Sequence, residues 1–588
     1  MPDRQDLAQT ISTLSAAQRS LLGARLSDTS VDGSTLIARS LKELGIGHIY
    51  SIAGTPIDRT LTACAEVGIC VVGVRHQNNG VLMALAQNYV AGQLVAAAIL
   101  SAGPAVTNAA TGILVAWDNA WPLLVLGGRR SLQMQGKGQF QELDAVALFQ
   151  SITKYAGLVA TIAEIPNALR HAVGVAIAAR PGPVYLDIAE EVFTDTQSTA
   201  ISSALTPTAV TGQDEPFGLP ISTRESLKDH PQAIQRAAHL LSQASRPALI
   251  VGKGVRWSTP YAALDCLVNR YRIPFVTSPM GRGFLPDDHP ICYTSVRAAL
   301  LATADVVLVL GARLNWTFRF GAELRAETEL IQIDIEAAEL EANVKPDVGI
   351  VGDVEVVLAQ LLAYLEQSPP KHHCLPTFHT WLRELDRQKA QKEREIEPLL
   401  TSDAIPMSPQ RLVHEIQACL PRNAICIVDG SVILAATQQV LKTYLPVSRL
   451  TPGSNGCIGT GIPFAIGAKL AQPDRLVVAI CGDTGIGMSL MELETAVRYQ
   501  IPLIVAIANN NGNSGSLRSS SHLDGEARRI AMFQPDLRYE QIVSVLGGYG
   551  EFITSPQDIQ PALQRAIAAN TAACINVKVD PAAPYPLL

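Results

Sequence analysis

The stretch Cys481–Gly512 reads CGDTGIGMSLMELETAVRYQIPLIVAIANNNG. It starts where an apolar run, Leu476–Ile480, gives way to Gly482-Asp483. It continues for about the length of a helix and meets a second apolar run, Leu503–Ala508, that ends in Asn509-Asn510-Asn511. Two short apolar runs flanking such a segment predict parallel strands joined by a crossover helix. The polar residues then fall at the carboxyl ends of neighbouring strands, where open α/β sheets bind their ligands. Asp483 offers a carboxylate and Asn510 an amide oxygen. One Mg²⁺ or Ca²⁺ takes both, accepts a backbone carbonyl as well, and keeps positions open for phosphate oxygens. The glycines let backbone N–H groups approach a diphosphate closely. An ordinary βαβ unit with a polar strand end shares the local pattern, so the rest of the chain has to separate the two readings.

Strand, Gly-Asp, helix, strand and double Asn at this spacing resemble the signature of thiamine-diphosphate enzymes. Thr484 stands where that signature has a second Gly. The resemblance implies that Asp483, Asn510 and the carbonyl of Gly512 hold Mg²⁺ on the cofactor's diphosphate, with Gly482 and Thr484 beside it.

Composition narrows the class. At 588 residues the chain is long enough for three or four domains, and its 48% hydrophobic content supports large cores. A net charge of −7 and the absence of a basic stripe argue against nucleic acid. No apolar run reaches membrane-spanning length, and the first residues lack the basic-then-apolar pattern of a secretory signal. Ten cysteines are scattered without CxxC pairs. Cys70, Cys426, Cys481 and Cys574 sit in apolar stretches and read as buried thiols in a reducing cytoplasm.

In chain order, residues 1–30 form a polar leader with one amphipathic piece, Leu14–Leu26, which Ser15 can cap. It packs on the first domain or frays. It also resembles segments between modules of non-ribosomal peptide synthetases, which would place a carrier protein among the partners. Residues 31–195 read as a doubly wound domain with strands at His48–Ala53, Cys70–Val74, Val95–Leu100, Pro122–Leu126 and Pro183–Ile188. Gly54–Ile57, Ser101–Asn108, Phe140–Asp144 and Arg180–Asp187 resemble the pyrimidine-binding domain of the acetolactate synthase superfamily. A Thr/Ser/Pro/Gly linker over 196–225 leads to a second α/β unit, 226–365. Its strings Gly252-Lys-Gly254, Gly281–Pro286, Gly311-Ala-Arg-Leu-Asn-Trp316 and Ile333-Asp-Ile335 are most similar to oxalyl-CoA decarboxylases and 2-hydroxyacyl-CoA lyases. That likeness implies either a bound adenine nucleotide, ADP or FAD, with Asp334 on its ribose, or an empty fold. A second linker, 366–410, contains an exposed helix at Leu382–Glu397, and 411–582 is the diphosphate-binding domain. The expected fold class is therefore α/β: three doubly wound parallel-sheet domains, pyrimidine-binding, central and diphosphate-binding.

The chemistry follows from the same resemblance. Gly456-Cys-Ile-Gly459 aligns with the string that bends the cofactor, which puts Ile458 under the bend and the Gly456 carbonyl on the 4′-amino group. Ser431 lies near the diphosphate. The family places a Glu after Arg-His to hydrogen-bond pyrimidine N1′ and activate C2, whereas this chain has Arg75-His76-Gln77. A Gln amide donates a hydrogen bond but has no acidic proton, and acid–base help of that kind is typically worth about 10²–10⁴-fold. Slow activation is expected at Gln77, although glyoxylate carboligase in the same superfamily works without the Glu. His76 reads as structural, and Glu492 and Glu494 as helix-surface or interface groups. The leading reading is a lyase, carboligase or decarboxylase acting on a 2-oxo acid or an acyl thioester. The alternative is a weakly active, cofactor-binding homologue serving a scaffold or partner role in a biosynthetic pathway. An unrelated nucleotide-binding enzyme on the same architecture is the third. By resemblance the cofactor lies between subunits, so a homodimer or homotetramer is expected.

Overall fold

The computed structural model describes residues 30–198, 231–519 and 522–583. The amphipathic leader piece and most of the first linker lie outside the described residues. Three large sheets, every strand parallel to its neighbours, carry the architecture. In the first, the strand order is Cys70–Gly73, His48–Ser51, Ala96–Leu100, Leu123–Arg129, Pro183–Ala189, Tyr155–Val159. The central sheet runs Phe275–Thr277, Pro247–Val251, Val306–Leu310, Glu329–Asp334, Val348–Val351. The third runs Arg449–Leu450, Ile425–Asp429, Val477–Gly482, Leu503–Asn509, Ala572–Lys578, Tyr549–Ile553. Helices cover both faces, so the inner strands are buried along their length and read as near-continuous apolar runs.

Each sheet reverses its order at its earliest strand, His48–Ser51, Pro247–Val251 or Ile425–Asp429, which is flanked by the next two. In the third sheet, Val478–Gly482 pairs in parallel with Ile504–Ala508, and Ile425–Asp429 pairs on the other side with Val477–Cys481. Asp429, Gly482 and Asn509 therefore end three adjacent strands at one edge.

The first and third domains share one core. The helix Gln77–Ala91 lies against Gly461–Ala471, and side chains from both enter a single hydrophobic cluster. The helices cross closely because Gly467 has no side chain. A Cβ there would meet the Met83 carbonyl oxygen at 2.2 Å. The central domain has a separate core.

Some local expectations are corrected. Cys70 is exposed, because it begins an edge strand, while Cys426, Cys481 and Cys574 are buried on inner strands. Thr196–Ser198, read as the start of a linker, pairs antiparallel with Ser30–Asp32. The charged helix runs Pro376–Thr401 and is not exposed throughout: Phe378, Trp381 and Leu385 anchor its first turns in the central core. The crossover between the two signature strands is two helices, Asp483–Ser489 and Glu492–Arg498. No helix among the described residues is long and apolar enough to cross a membrane.

Candidate active site

A cavity of about 170 Å³ opens at the carboxyl edge of the third sheet. Gly430, Ser431, Gly456, Ile458, Gly482, Asp483, Thr484, Asn510 and Gly512 all line it. Ser431 begins the helix Ser431–Val440, after Gly430 at φ +115°. The first residues of that helix, Ser431 to Leu434, line the cavity, and a helix start, with its unpaired N–H groups, suits an anion.

At the cavity floor, Asp483 is 2% exposed. Its Oδ2 accepts from the Gly512 N–H at 2.8 Å. Burial pushes its carboxyl up to about 6, against the pull of the Gly512 and Thr484 N–H groups. The amide of Asn510 donates from Nδ2 to Ser514 Oγ at 2.7 Å. In that orientation Oδ1 faces only acceptors, the Gly512 carbonyl oxygen at 2.6 Å and Asp483 Oδ1 at 3.3 Å. The Asn510 amide, the Gly512 carbonyl and the Asp483 carboxylate thus meet at one point, and without a cation the amide satisfies all its atoms only with its NH₂ turned toward the two oxygens. Adjacent ligands of an octahedral Mg²⁺ with bonds near 2.1 Å are roughly 3 Å apart, so the residues fit such a cation. Turning the amide over would let its NH₂ donate to both oxygens, and the cradle is thus satisfied by a cation or by a rotated amide. Among the described residues no three His, Cys, Asp or Glu side chains cluster as a metal site. A cation here would rest on one carboxylate, one amide and one carbonyl.

The loop bearing Gly456 and Ile458 is pinned from all three domains. From the first domain, Asp118 accepts from Ser454 Oγ at 2.9 Å and from the Asn455 N–H at 3.0 Å, and Asn119 Nδ2 donates to the Pro452 carbonyl at 3.0 Å. From the central domain, Trp316 Nε1 donates to the Ser454 carbonyl at 3.0 Å and Arg313 to Ser454 Oγ at 3.1 Å. From its own domain, Asp429 Oδ2 accepts from the Gly459 and Gly461 N–H groups at 3.0 and 2.9 Å. Asp118, Asn119 and Asp429 were not singled out by the sequence. Asp429 stands two residues before Ser431, at the end of an apolar run, whereas nothing local marks Asp118 or Asn119.

Gln77 stands elsewhere. No residue of the first domain lines the Asp483 cavity. Gln77 opens the helix Gln77–Ala91, capped by His76, whose Nδ1 accepts from the Asn78 N–H at 3.2 Å. Glu492, fully buried, reaches across from the third domain to accept from the N–H groups of Arg75 and His76, both at 3.1 Å, from Asn79 Nδ2 at 3.0 Å and from Thr495 Oγ1 at 2.8 Å. It is an interface group between domains of one chain. Glu494 pairs with Arg498 at 2.9 Å on the partly exposed side.

A second cavity, about 330 Å³, lies against the central domain. Asp334 lines it, buried at its strand end, with Oδ1 accepting from the Glu336 N–H at 3.0 Å and its carboxyl pushed up to about 6 by burial. Lys253, Arg180 and Arg313 share the wall. Burial and the Arg313 charge bring Lys253 down to about 7. Trp316, Leu434 and Gly453 line both cavities.

Three family profiles match the chain in order. They are the thiamine pyrophosphate enzyme N-terminal binding domain over residues 31–148, the central domain over 234–361, and the C-terminal binding domain over 430–577. The 2-hydroxyacyl-CoA lyase of Oryza sativa subsp. japonica is 33% identical over 561 residues, 94% of this chain and 96% of that one. The chain belongs to the thiamine-diphosphate-dependent enzymes. Other relatives of this thiamine-diphosphate enzyme include the oxalyl-CoA decarboxylase of Escherichia coli, 30% identical over 564 residues (94% and 95% of the two chains), and the acetolactate synthase large subunit of Mycobacterium tuberculosis, 31% identical over 560 residues (94% and 96%). The cavity around Asp483 falls within the match to the C-terminal binding domain, and Gln77 within the match to the N-terminal one.

Proposed function

We propose that this enzyme cleaves the C1–C2 bond of a 2-hydroxyacyl thioester, releasing an aldehyde and a formyl thioester. The 2-hydroxyacyl-CoA lyases that align over nearly the whole chain support this substrate class. The observation that carries the site is the meeting of the Asp483 carboxylate, the Asn510 amide and the Gly512 carbonyl in one cavity. In this reading they hold Mg²⁺, and Gly482, Thr484 and Ser431 receive the diphosphate. The Gly456 carbonyl takes the 4′-amino group, and Ile458 supports the bend. Bound thiamine diphosphate supplies the carbanion and electron sink that break the bond, and the chain supplies position and electrostatics.

Gln77 of one subunit meets N1′ of a cofactor seated in the other. The absence of first-domain residues from the Asp483 cavity supports a homodimer or homotetramer as the active unit. The central cavity takes ADP or FAD, with Asp334 on the ribose and the Lys253–Arg313 wall near phosphate.

A second reading is favoured by one observation: the carboxylate nearest the helix start, Glu492, is fully engaged by backbone and side-chain donors and cannot replace the missing activating acid. Under it the protein binds cofactor and turns over slowly or not at all. Thermal shift with thiamine diphosphate plus Mg²⁺ tests the site. The native protein is stabilised, and Asp483→Ala loses the response; an equal response in the variant removes the assignment. Hydrogen–deuterium exchange at C2 of the bound cofactor then separates the readings. Exchange well above the free-cofactor rate supports the lyase, and exchange at the free rate, restored by Gln77→Glu, supports the binding role.

A further inference from the structure

The loop over residues 451–460 is a wall with two sides. Pro452, Gly456 and Ile458 line the Asp483 cavity, Thr451 and Ser454 line the central one, and Gly453 lines both. Gly453, Gly456 and Gly459 hold φ of +83°, +67° and +86°. Left-handed glycines so close together make a loop that loses much conformational freedom when it is fixed.

Asp118 lines neither cavity, yet it joins this wall to the cations of the central one. It lies in the last turn of the helix Ala110–Asn119. Its carboxylate accepts from Ser454 Oγ at 2.9 Å and from the Asn455 N–H at 3.0 Å. Arg313 Nη2 donates to the Asp118 carbonyl at 2.7 Å and to Ser454 Oγ at 3.1 Å. Lys253 Nζ donates to the same carbonyl at 3.3 Å and to Asn119 Oδ1 at 2.9 Å. Carboxylates and carbonyls only accept, and ammonium and guanidinium groups only donate, so the direction of each of these bonds is fixed. Asn119 Nδ2 meets two carbonyls, those of Val115 and Pro452, both at 3.0 Å, which fixes that amide as well.

The cations are only partly engaged by the wall. Nε and Nη1 of Arg313 donate to no described residue, and Lys253 and Arg313 both line the central cavity. Arg180 beside them is paired with Glu339 at 3.2 Å, so at this wall Lys253 and Arg313 share one carboxylate, Asp118. Burial and the Arg313 charge bring Lys253 down to about 7, and an anion against both cations favours its charged form. A charged ammonium makes the stronger hydrogen bonds to Asn119 and Asp118.

We infer that Asp118 is a positioning residue that couples the two cavities: a nucleoside diphosphate in the central cavity and thiamine diphosphate in the Asp483 cavity each fix the shared loop for the other, and so bind cooperatively. The inference rests on the reading that the central cavity takes an adenine nucleotide. Whichever ligand binds first bears the cost of ordering the glycine loop, and the second is spared it.

The test measures binding in the full-length protein at saturating Mg²⁺. Thiamine diphosphate is titrated calorimetrically with and without saturating ADP, and ADP with and without thiamine diphosphate. Each ligand should tighten the other by the same factor, about fivefold or more. ADP that fails to bind, or that competes directly with thiamine diphosphate, would remove the adenine-nucleotide reading and the inference with it. ADP that binds without tightening the cofactor would overturn the coupling and leave that reading standing. In Asp118→Ala both ligands should still bind, with the factor reduced to about one. A merely structural role would weaken the separate affinities and leave their mutual factor intact, and that result would overturn the role given to Asp118. Should the variant fail to fold, a measurement on the native protein decides: ADP alone should slow amide hydrogen exchange over residues 453–461 in the cofactor-free protein. Unchanged exchange there would show that the loop does not carry the coupling.

Discussion

Asp429 offers a prediction whose size can be worked from its surroundings. It is 1% exposed at the end of an inner strand. Oδ2 holds the Gly459 and Gly461 N–H groups, and Oδ1 has no hydrogen-bond partner among the described residues. Burial raises its carboxyl from the ordinary 3.8 to about 6, outweighing those N–H groups. Between the two values the folded protein binds more protons at this site than the unfolded chain does, so stability falls as pH rises through the window. The full cost above it is about 3 kcal/mol, at 1.36 kcal/mol per pH unit.

Asn fits the same space. Its oxygen can take both glycine N–H groups, and its NH₂ occupies the place of the unpartnered oxygen. Asp429→Asn should therefore stabilise the cofactor-free protein by up to about 3 kcal/mol near neutral pH, and the gain should fade toward pH 4. Because a chain of several domains need not unfold in one step, the assay is local. Amide hydrogen exchange in the helix Gly461–Ala471, which follows the pinned loop, is compared between native and variant at acid and neutral pH. A difference that does not change with pH, or a variant less protected at neutral pH, would refute the reasoning. It would mean that Asp429 stays ionised and that its charge is needed.

Two further outcomes are expected. Glu492→Ala strands the Arg75 and His76 N–H groups and the Asn79 amide; losing the acceptor of a buried charged network should cost about 3–5 kcal/mol and increase proteolysis near residue 76, whereas an unchanged denaturation midpoint would show that water replaces the carboxylate. Gly467→Ala pushes a methyl against the Met83 carbonyl at a contact the backbone cannot relieve locally; overpacking of this kind costs about 1–3 kcal/mol and should lower the thermal midpoint and weaken the joint between first and third domains, and a midpoint equal to native would show that the two helices are free to part.

How legible the protein was in its sequence depends on how local each cause is. Buried parallel strands are apolar on both faces, and Val95–Leu100 and Pro183–Ile188 were each placed to within one residue of the strands Ala96–Leu100 and Pro183–Ala189. Edge and late strands were missed: Tyr155–Val159, with only two of five residues buried, has a weak apolar signal. Asp483, Asn510, Gly512, Ser431 and Ile458, which line one cavity, could be singled out as candidates because each sits in a short string at a strand or helix end. Asp118 and Asn119 escaped because their partners lie hundreds of residues away, and Glu492 could be read only as a surface or interface group because its partners are as distant.

The sequence by itself determined the three α/β domains and the Gly-Asp…Asn-Asn edge, and it showed an amide, not a carboxylate, after Arg75-His76. These are properties of periodicity, spacing and side-chain chemistry, which need no neighbours to be read. Only the tertiary structure decided that Asp483, Asn510 and Gly512 meet in one cavity, that one loop is tied to three domains, and that Glu492 of the third domain holds the start of the helix that Gln77 opens. Hydrogen bonds form between atoms about 3 Å apart, and which distant segments come that close is settled by how whole sheets and helices pack.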